Sequence, residues 1–163
     1  MYFVTICTRK RINLFGRIRE ARMQPNALGK IIWEAWFELP YHFARLELDS
    51  FVLMPSHIHG ILALVDPVGA GLRPAPALGR QGLTRIIGAF KSFSSRRITE
   101  VKPTLQGLVW QRSFYDRIIR NNAELSNARR YILLNPAKWE FDRENRDHKD
   151  VKTEGPAKGE SFP

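Results

Sequence analysis

The sequence predicts an α+β domain in the ferredoxin-like βαββαβ arrangement. This is an antiparallel sheet with helices on one face, followed by one further C-terminal helix. Three observations predict it. Alternating apolar stretches and stretches of helical periodicity follow one another as strand, helix, strand, strand, helix, strand, helix. The two consecutive strands are separated only by Pro55-Ser56, and proline cannot donate within a ladder, so an antiparallel hairpin fits. The chain has 163 residues, enough for one core, and it shows no internal repeat.

Each element has its own warrant. Tyr2 to Thr8 is β-branched and aromatic and reads as a strand. It starts so early that contacts from an upstream segment are not expected. Arg9-Lys10-Arg11 follows, either a solvated loop or a phosphate contact. Residues 26–39 form the first helix: Asn26 is the N-cap, Leu28, Ile31, Ile32, Ala35 and Trp36 recur at helical spacing, and Leu39-Pro40 ends the run. Residues 46–54 and 57–65 are the paired strands. Residues 66–81, rich in Gly, Pro and Ala, read as a long loop. Residues 82–100 form a helix with Leu83, Ile86, Ile87, Phe90, Phe93 and Ile98 inward and Arg85, Lys91, Arg96 and Arg97 as its basic complement. Residues 108–119 read as a strand region. Asn121 or Asn122 caps the last helix, expected to reach about Leu134. The domain is placed at 1–143, with a polar, flexible tail over 144–163.

Composition narrows the function. Lys plus Arg is 26 against 16 Asp plus Glu, a formal net charge of +10. That imbalance points to a polyanion, nucleic acid first. The basic residues are spread along the chain rather than gathered into the polybasic block that a membrane surface favours. No apolar run has the length of a membrane span, and the N-terminus lacks the layout of a signal peptide. A single cysteine, Cys7, excludes an internal disulfide, reads as a buried thiol, and makes the cytoplasm the default compartment.

The chemistry-bearing stretch is Phe51-Val52-Leu53-Met54-Pro55-Ser56-His57-Ile58-His59-Gly60-Ile61-Leu62. Alternate residues of a strand share a face, so His57 and His59 point the same way, roughly 7 Å apart along the backbone. Two imidazoles so placed can share one metal ion. By spacing alone, ordinary strand histidines are the commoner reading. Tyr131 and Asn135 are four residues apart on the last helix and share a face if that helix holds to Asn135. By pattern alone, a half-buried core tyrosine is the commoner reading of Tyr131, Asn135 before Pro136 can terminate the helix as well as serve the site, and Tyr115 is a rival nucleophile. His42 and His148 have no partner pattern.

Taken together, several segments resemble the IS200-like, single-tyrosine HUH transposases, and among them the REP-associated tyrosine transposases. They are Tyr2 to Thr8, Phe51 to Leu62, Leu83 to Ile98, Trp110 to Asp116 and Arg130 to Pro136, nearly everything from residue 2 to about 140. The resemblance implies a metal-dependent endonuclease and strand transferase acting on single-stranded, stem-loop DNA through a 5′-phosphotyrosine. Tyr131 matches the catalytic tyrosine, His57 and His59 the metal-binding pair, and Asn135 the polar residue that completes the site. The implied cofactor is Mg²⁺ or Mn²⁺; two imidazoles suit Mn²⁺ better. Ser56 departs from the Asn that many relatives carry before the first histidine. Arg9, Lys10, Arg11, Arg85, Lys91, Arg96, Arg112 and Arg130 are the candidate DNA contacts, with affinity expected to fall steeply with salt. Both a homodimer exchanging its tyrosine helices and a monomer with the helix folded back are compatible with the sequence. A non-catalytic nucleic-acid-binding domain on the same fold is the alternative function.

Overall fold

The computed structural model describes residues 1–65 and 79–139, with side chains described except at 79–81. The expected tail and most of the expected 66–81 loop lie outside the described residues. The elements are β1 (Tyr2–Cys7), β2 (Gly16–Arg19), β3 (Arg22–Pro25), α1 (Ala27–Phe37), the short α2 (Leu39–His42), β4 (Leu46–Leu53), β5 (His57–Leu64), α3 (Gly79–Val101), β6 (Tyr115–Ile118) and α4 (Asn122–Lys138). The main sheet has the order β4-β5-β1-β6, and every neighbouring pair is antiparallel. Leaving out the β2–β3 hairpin, this is the expected βαββαβ order.

The two faces of the sheet do different work, and alternation along the strands separates them. Val4, Ile6, Ile58 and Leu62 turn to one face. There they pack with Ile32 and Trp36 of α1 and with Leu83, Ile87 and Phe90 of α3 to form the main core. Phe3, Thr5 and Cys7 pair in register with Ile61, His59 and His57 on the other face, which α4 covers. The contact there is smaller: Ile61, Ile119 and Ile132, with Phe3, Val52, Leu125 and Ala128 against them.

Gly60 shows why the main core closes tightly beside the histidines. A Cβ at this position would lie 2.3 Å from the fully buried Trp36 ring. Only glycine lets the indole lie against the strand backbone.

Asn26 caps α1 by accepting from the Gly29 N–H at 3.0 Å, and Asn121 caps α4 by accepting from the Glu124 N–H at 2.8 Å, so each satisfies one orphan donor of a first turn. Three expectations need correcting. The strand expected over 108–119 is limited to Tyr115–Ile118, with Trp110 making only an isolated bridge to Thr8. The last helix does not stop near Leu134; it continues through Pro136 to Lys138, where buried Trp139 lies against the His57 ring, 5.8 Å between centroids. The β2–β3 hairpin was not expected. Its strands carry Arg17, Arg19 and Arg22 with few apolar residues, and Glu20 and Ala21 occupy its turn at positive φ in place of the usual Asn-Gly.

Candidate active site

β5 opens on His57 directly after the Pro55-Ser56 turn, so both histidines sit at one end of the sheet. The turn is tied down from three sides. Met54 N–H donates to His57 O at 2.8 Å, Thr8 N–H to Ser56 O at 2.8 Å, and Phe15 N–H to Pro55 O at 3.0 Å. His57 and His59 are 1% and 5% exposed, and their Nε2 atoms lie 3.1 Å apart. Burial, with Arg11 nearby, pushes the His57 pKa down to about 4. His57 is therefore neutral near pH 7 and carries a lone pair.

α4 brings two further groups to this face. The Tyr131 hydroxyl is 3.5 Å from His59 Nε2 within the same chain, and the two rings meet edge-on at 5.1 Å. Phe3 stacks on the His59 ring at 5.4 Å and meets Tyr131 edge-on at 5.9 Å, so it holds both. One turn beyond Tyr131, Asn135 is 2% exposed, and its Oδ1 is buried with no hydrogen-bond partner. The docking of α4 is also set by Arg129, whose guanidinium grips both carboxylate oxygens of Asp49. Asp49 sits where the β4–β5 register slips between Leu48 and Phe51. A bulge of this kind re-aims a side chain that a regular strand would place elsewhere.

The residues present fit a divalent ion. In an octahedral shell, adjacent ligands about 2.1 Å from the ion lie about 3.0 Å from each other. The 3.1 Å between the two Nε2 atoms matches that spacing. Asn135 Oδ1 is a hard oxygen donor with nothing else to bind. Among the described residues no group of three His, Cys, Asp or Glu side chains gathers at one point.

Two cavities flank Tyr131. One, of about 440 Å³, is lined by Arg11, His57, His59, Gln111, Ser113 and Tyr131 among others. The second, of about 420 Å³, is more apolar, with Phe3, Ile119 and Ala128 beside Tyr115, Asn127 and Tyr131. Tyr115 lines both cavities but is itself 59% exposed on the edge strand β6.

The other candidate contacts scatter. Arg9, Lys10 and Arg11 form a tight turn after β1, on the histidine end of the sheet, and Lys10 and Arg11 adopt positive φ. Arg9 donates to Gly107 O at 3.2 Å, and Arg112 is exposed near the first cavity's rim. Arg85 and Arg96 lie on the solvent side of α3, across the sheet from the histidines, and Arg130 is exposed on α4. Lys91 points to none of these places. Its ammonium donates to the carbonyls of Gln111 at 2.9 Å, Arg112 at 3.3 Å and Ser113 at 2.9 Å, and burial lowers its pKa. It fixes the loop that walls the first cavity. Sequence reasoning passed over Thr5, Phe3 and Trp139. The alternation of β1 places Phe3 and Thr5 on one face, but which face opposed the histidines required the register.

An uncharacterised protein of Haemophilus influenzae (strain Rd) is 34% identical over 149 residues, spanning 87% of this chain and 83% of the relative. The chain belongs to that protein's family. No protein-family model matches the sequence. Among solved structures, a REP-associated tyrosine transposase bound to a REP hairpin is similar over 93% of this chain and 79% of that one, with a TM-score of 0.54 at 20% identity. A Deinococcus radiodurans R1 protein, provisionally described as a transposase, matches over 82% and 88% with a TM-score of 0.50 at 16% identity. The fold is therefore that of the REP-associated tyrosine transposases, as the sequence resemblance implied. Among the described residues no helix is long and apolar enough to cross a membrane.

Proposed function

We propose that this chain is a transposase of the HUH type that cleaves and rejoins single-stranded DNA through a covalent bond to Tyr131. The observation that carries the proposal is the Tyr131 hydroxyl 3.5 Å from an imidazole nitrogen of a buried, converging histidine pair. The fold neighbour bound to a REP hairpin supports stem-loop DNA as the substrate class, and the net charge of +10 supports a polyanionic partner.

His57, His59 and Asn135 would hold a divalent ion, Mg²⁺ or Mn²⁺. When bound, such an ion supplies Lewis-acid polarisation of a phosphate oxygen and fixes the phosphate's orientation. The remaining work falls to the chain's own side chains. Tyr131 Oη attacks phosphorus, an Oη–P bond forms, and the P–O3′ bond breaks. The proton lost by the phenol is balanced by the one gained at the departing 3′ oxygen, so the step needs no co-reactant. The product is a 5′-phosphotyrosine that retains the phosphodiester energy for rejoining. Arg11, facing the polar cavity with Gln111 and Ser113, would steer the phosphates. The approach of Tyr131 to His59 within one chain supports a tyrosine that serves its own protomer's histidines.

The test is a trapping assay. Wild type is incubated with Mn²⁺ and a panel of stem-loop oligonucleotides, and a protein–DNA band resistant to denaturation is sought. Wild type should give that band. Tyr131→Phe should still bind the oligonucleotide but give no band. DNA binding with no adduct from wild type on any substrate would mean a binding module instead. Cleavage that persists in Tyr131→Phe would mean a hydrolase that uses water.

A further inference from the structure

We propose that Thr5 is a positioning residue for the histidine pair: its hydroxyl holds His59 with the proton on Nδ1, leaving the Nε2 lone pair turned toward His57. The inference rests on the reading of His57, His59 and Asn135 as a metal site. A neutral imidazole has one N–H and one lone pair, and the partner of one nitrogen decides the state of the other. Two Nε2 atoms 3.1 Å apart can settle in either of two ways. One Nε2–H donates to the other nitrogen, which blocks both from a cation, or both lone pairs converge, which is what a cation requires.

Thr5 fits the second arrangement when its hydroxyl oxygen accepts from Nδ1–H; a hydroxyl that donated to Nδ1 would leave the proton on Nε2, and a wild type found in that form overturns the proposal. Its Oγ1 lies 2.8 Å from His59 Nδ1. The placement is built into the sheet, because Thr5 and His59 are register partners across β1 and β5. A β-branched residue in a strand has a stiff χ1, so the hydroxyl does not wander. Phe3, two residues earlier on the same face, stacks on the His59 ring with an interplanar angle of 26° and opposes its rotation. The other ring has a weaker counterpart in the fully buried Ser56, whose Oγ is 3.3 Å from His57 Nδ1. Both imidazoles thus meet a hydroxyl on the side away from the shared point.

Outer-sphere partners of metal-bound histidines typically change affinity by about 10- to 100-fold when removed. The experiment compares wild type, Thr5→Val and Thr5→Ser by two measurements. Long-range ¹H–¹⁵N correlation of the imidazoles in metal-free protein reads the His59 tautomer, and electron paramagnetic resonance of free Mn²⁺ reads affinity. Wild type should show the Nδ1–H form. Thr5→Val should move population to Nε2–H and weaken Mn²⁺ binding about 10- to 100-fold, and Thr5→Ser should restore both. Should Thr5→Val not fold, Thr5→Ala removes the same hydroxyl without a new methyl group and carries the same comparison. A hydroxyl-free variant with wild-type tautomer and Mn²⁺ affinity overturns the role of Thr5 alone. A wild type that binds no Mn²⁺ overturns the metal site and this inference with it.

Discussion

Replacing Asn135 by leucine should make the metal-free protein more stable while removing its response to metal. Asn135 Oδ1 is buried without a partner, one turn beyond Tyr131 on α4. An unsatisfied buried acceptor costs about 1–3 kcal/mol. Leucine has nearly the same size and shape, so it removes that cost while refitting its branched tip costs typically below about 1.5 kcal/mol. The expected net gain is about 1 kcal/mol, a rise of roughly 2–4 °C in Tm for a chain of this length. Metal should stabilise wild type far more than the variant. At a hundredfold excess of Mn²⁺ over its dissociation constant, binding stabilises wild type by about 2.7 kcal/mol, and the variant should lose most of that gain. Thermal unfolding followed by circular dichroism, with and without Mn²⁺, measures all four values. A variant that melts lower than wild type in the absence of metal, or that keeps the full Mn²⁺ shift, would refute the reasoning, since the amide would then be a satisfied structural group.

Three further outcomes are expected. Burial holds the His57 pKa to about 4 against an ordinary 6.5, so on acidification the unfolded chain takes up the proton first. Stability should fall between about pH 6.5 and 4, by up to about 3 kcal/mol, and urea midpoints of wild type against His57→Phe at pH 7 and pH 4.5 should show that loss in wild type only. Gly60→Ala drives a Cβ to 2.3 Å from buried Trp36; a loss of about 1–3 kcal/mol or more is expected from overpacking, and an unchanged urea midpoint would show that the indole can yield. Ile132→Ala removes a large part of the small cluster under α4. It should cost about 2–5 kcal/mol, lower adduct yield in the trapping assay, and speed amide exchange in α4 more than in β5.

Strands β1, β4 and β5 were legible because they are apolar, β-branched or aromatic runs and their hairpin is marked by Pro55-Ser56. The N-cap of α1 was legible because Asn26 stands immediately before an apolar-periodic run, whereas the adjacent Asn121 and Asn122 left the cap of α4 between two positions. What could not be read were features set by tertiary contact. The β2–β3 hairpin has little apolar pattern and a turn without glycine. The 108–114 stretch is apolar and aromatic enough for a strand, yet Lys91 ties its carbonyls into a loop, and a half-buried lysine clamping backbone oxygens has no signature in the chain. In the site, His57, His59, Tyr131 and Asn135 were all named from the sequence. Of these the structure brings Tyr131 to the histidine pair directly, and it buries Asn135 one turn further along the same helix. Thr5 was invisible because a threonine in a strand is ordinary until its register partner is known.

One helix carries both Tyr131, the proposed nucleophile, and Asn135, the proposed amide ligand, and on that proposal chemistry is tied to docking. Tyr131 and Asn135 are one turn apart, so any motion that withdraws the hydroxyl also withdraws the amide oxygen. The attachment of that helix is modest. It rests on Ile132 against Ile61 and Ile119, on the Arg129–Asp49 pair at the bulge, and on Trp139 beside His57. Meanwhile Leu133 is left 79% exposed. The sheet face that holds the histidines, by contrast, is backed by the main core and by Trp36 lying over Gly60. The imidazole pair is thus the fixed half of the site, and the tyrosine and amide are its detachable half. An ion held jointly by the two halves would favour the docked helix by the same free energy with which the docked helix favours the ion. On the proposed mechanism, such coupling would hold Tyr131 beside the phosphate when the metal site is complete and release it when it is not.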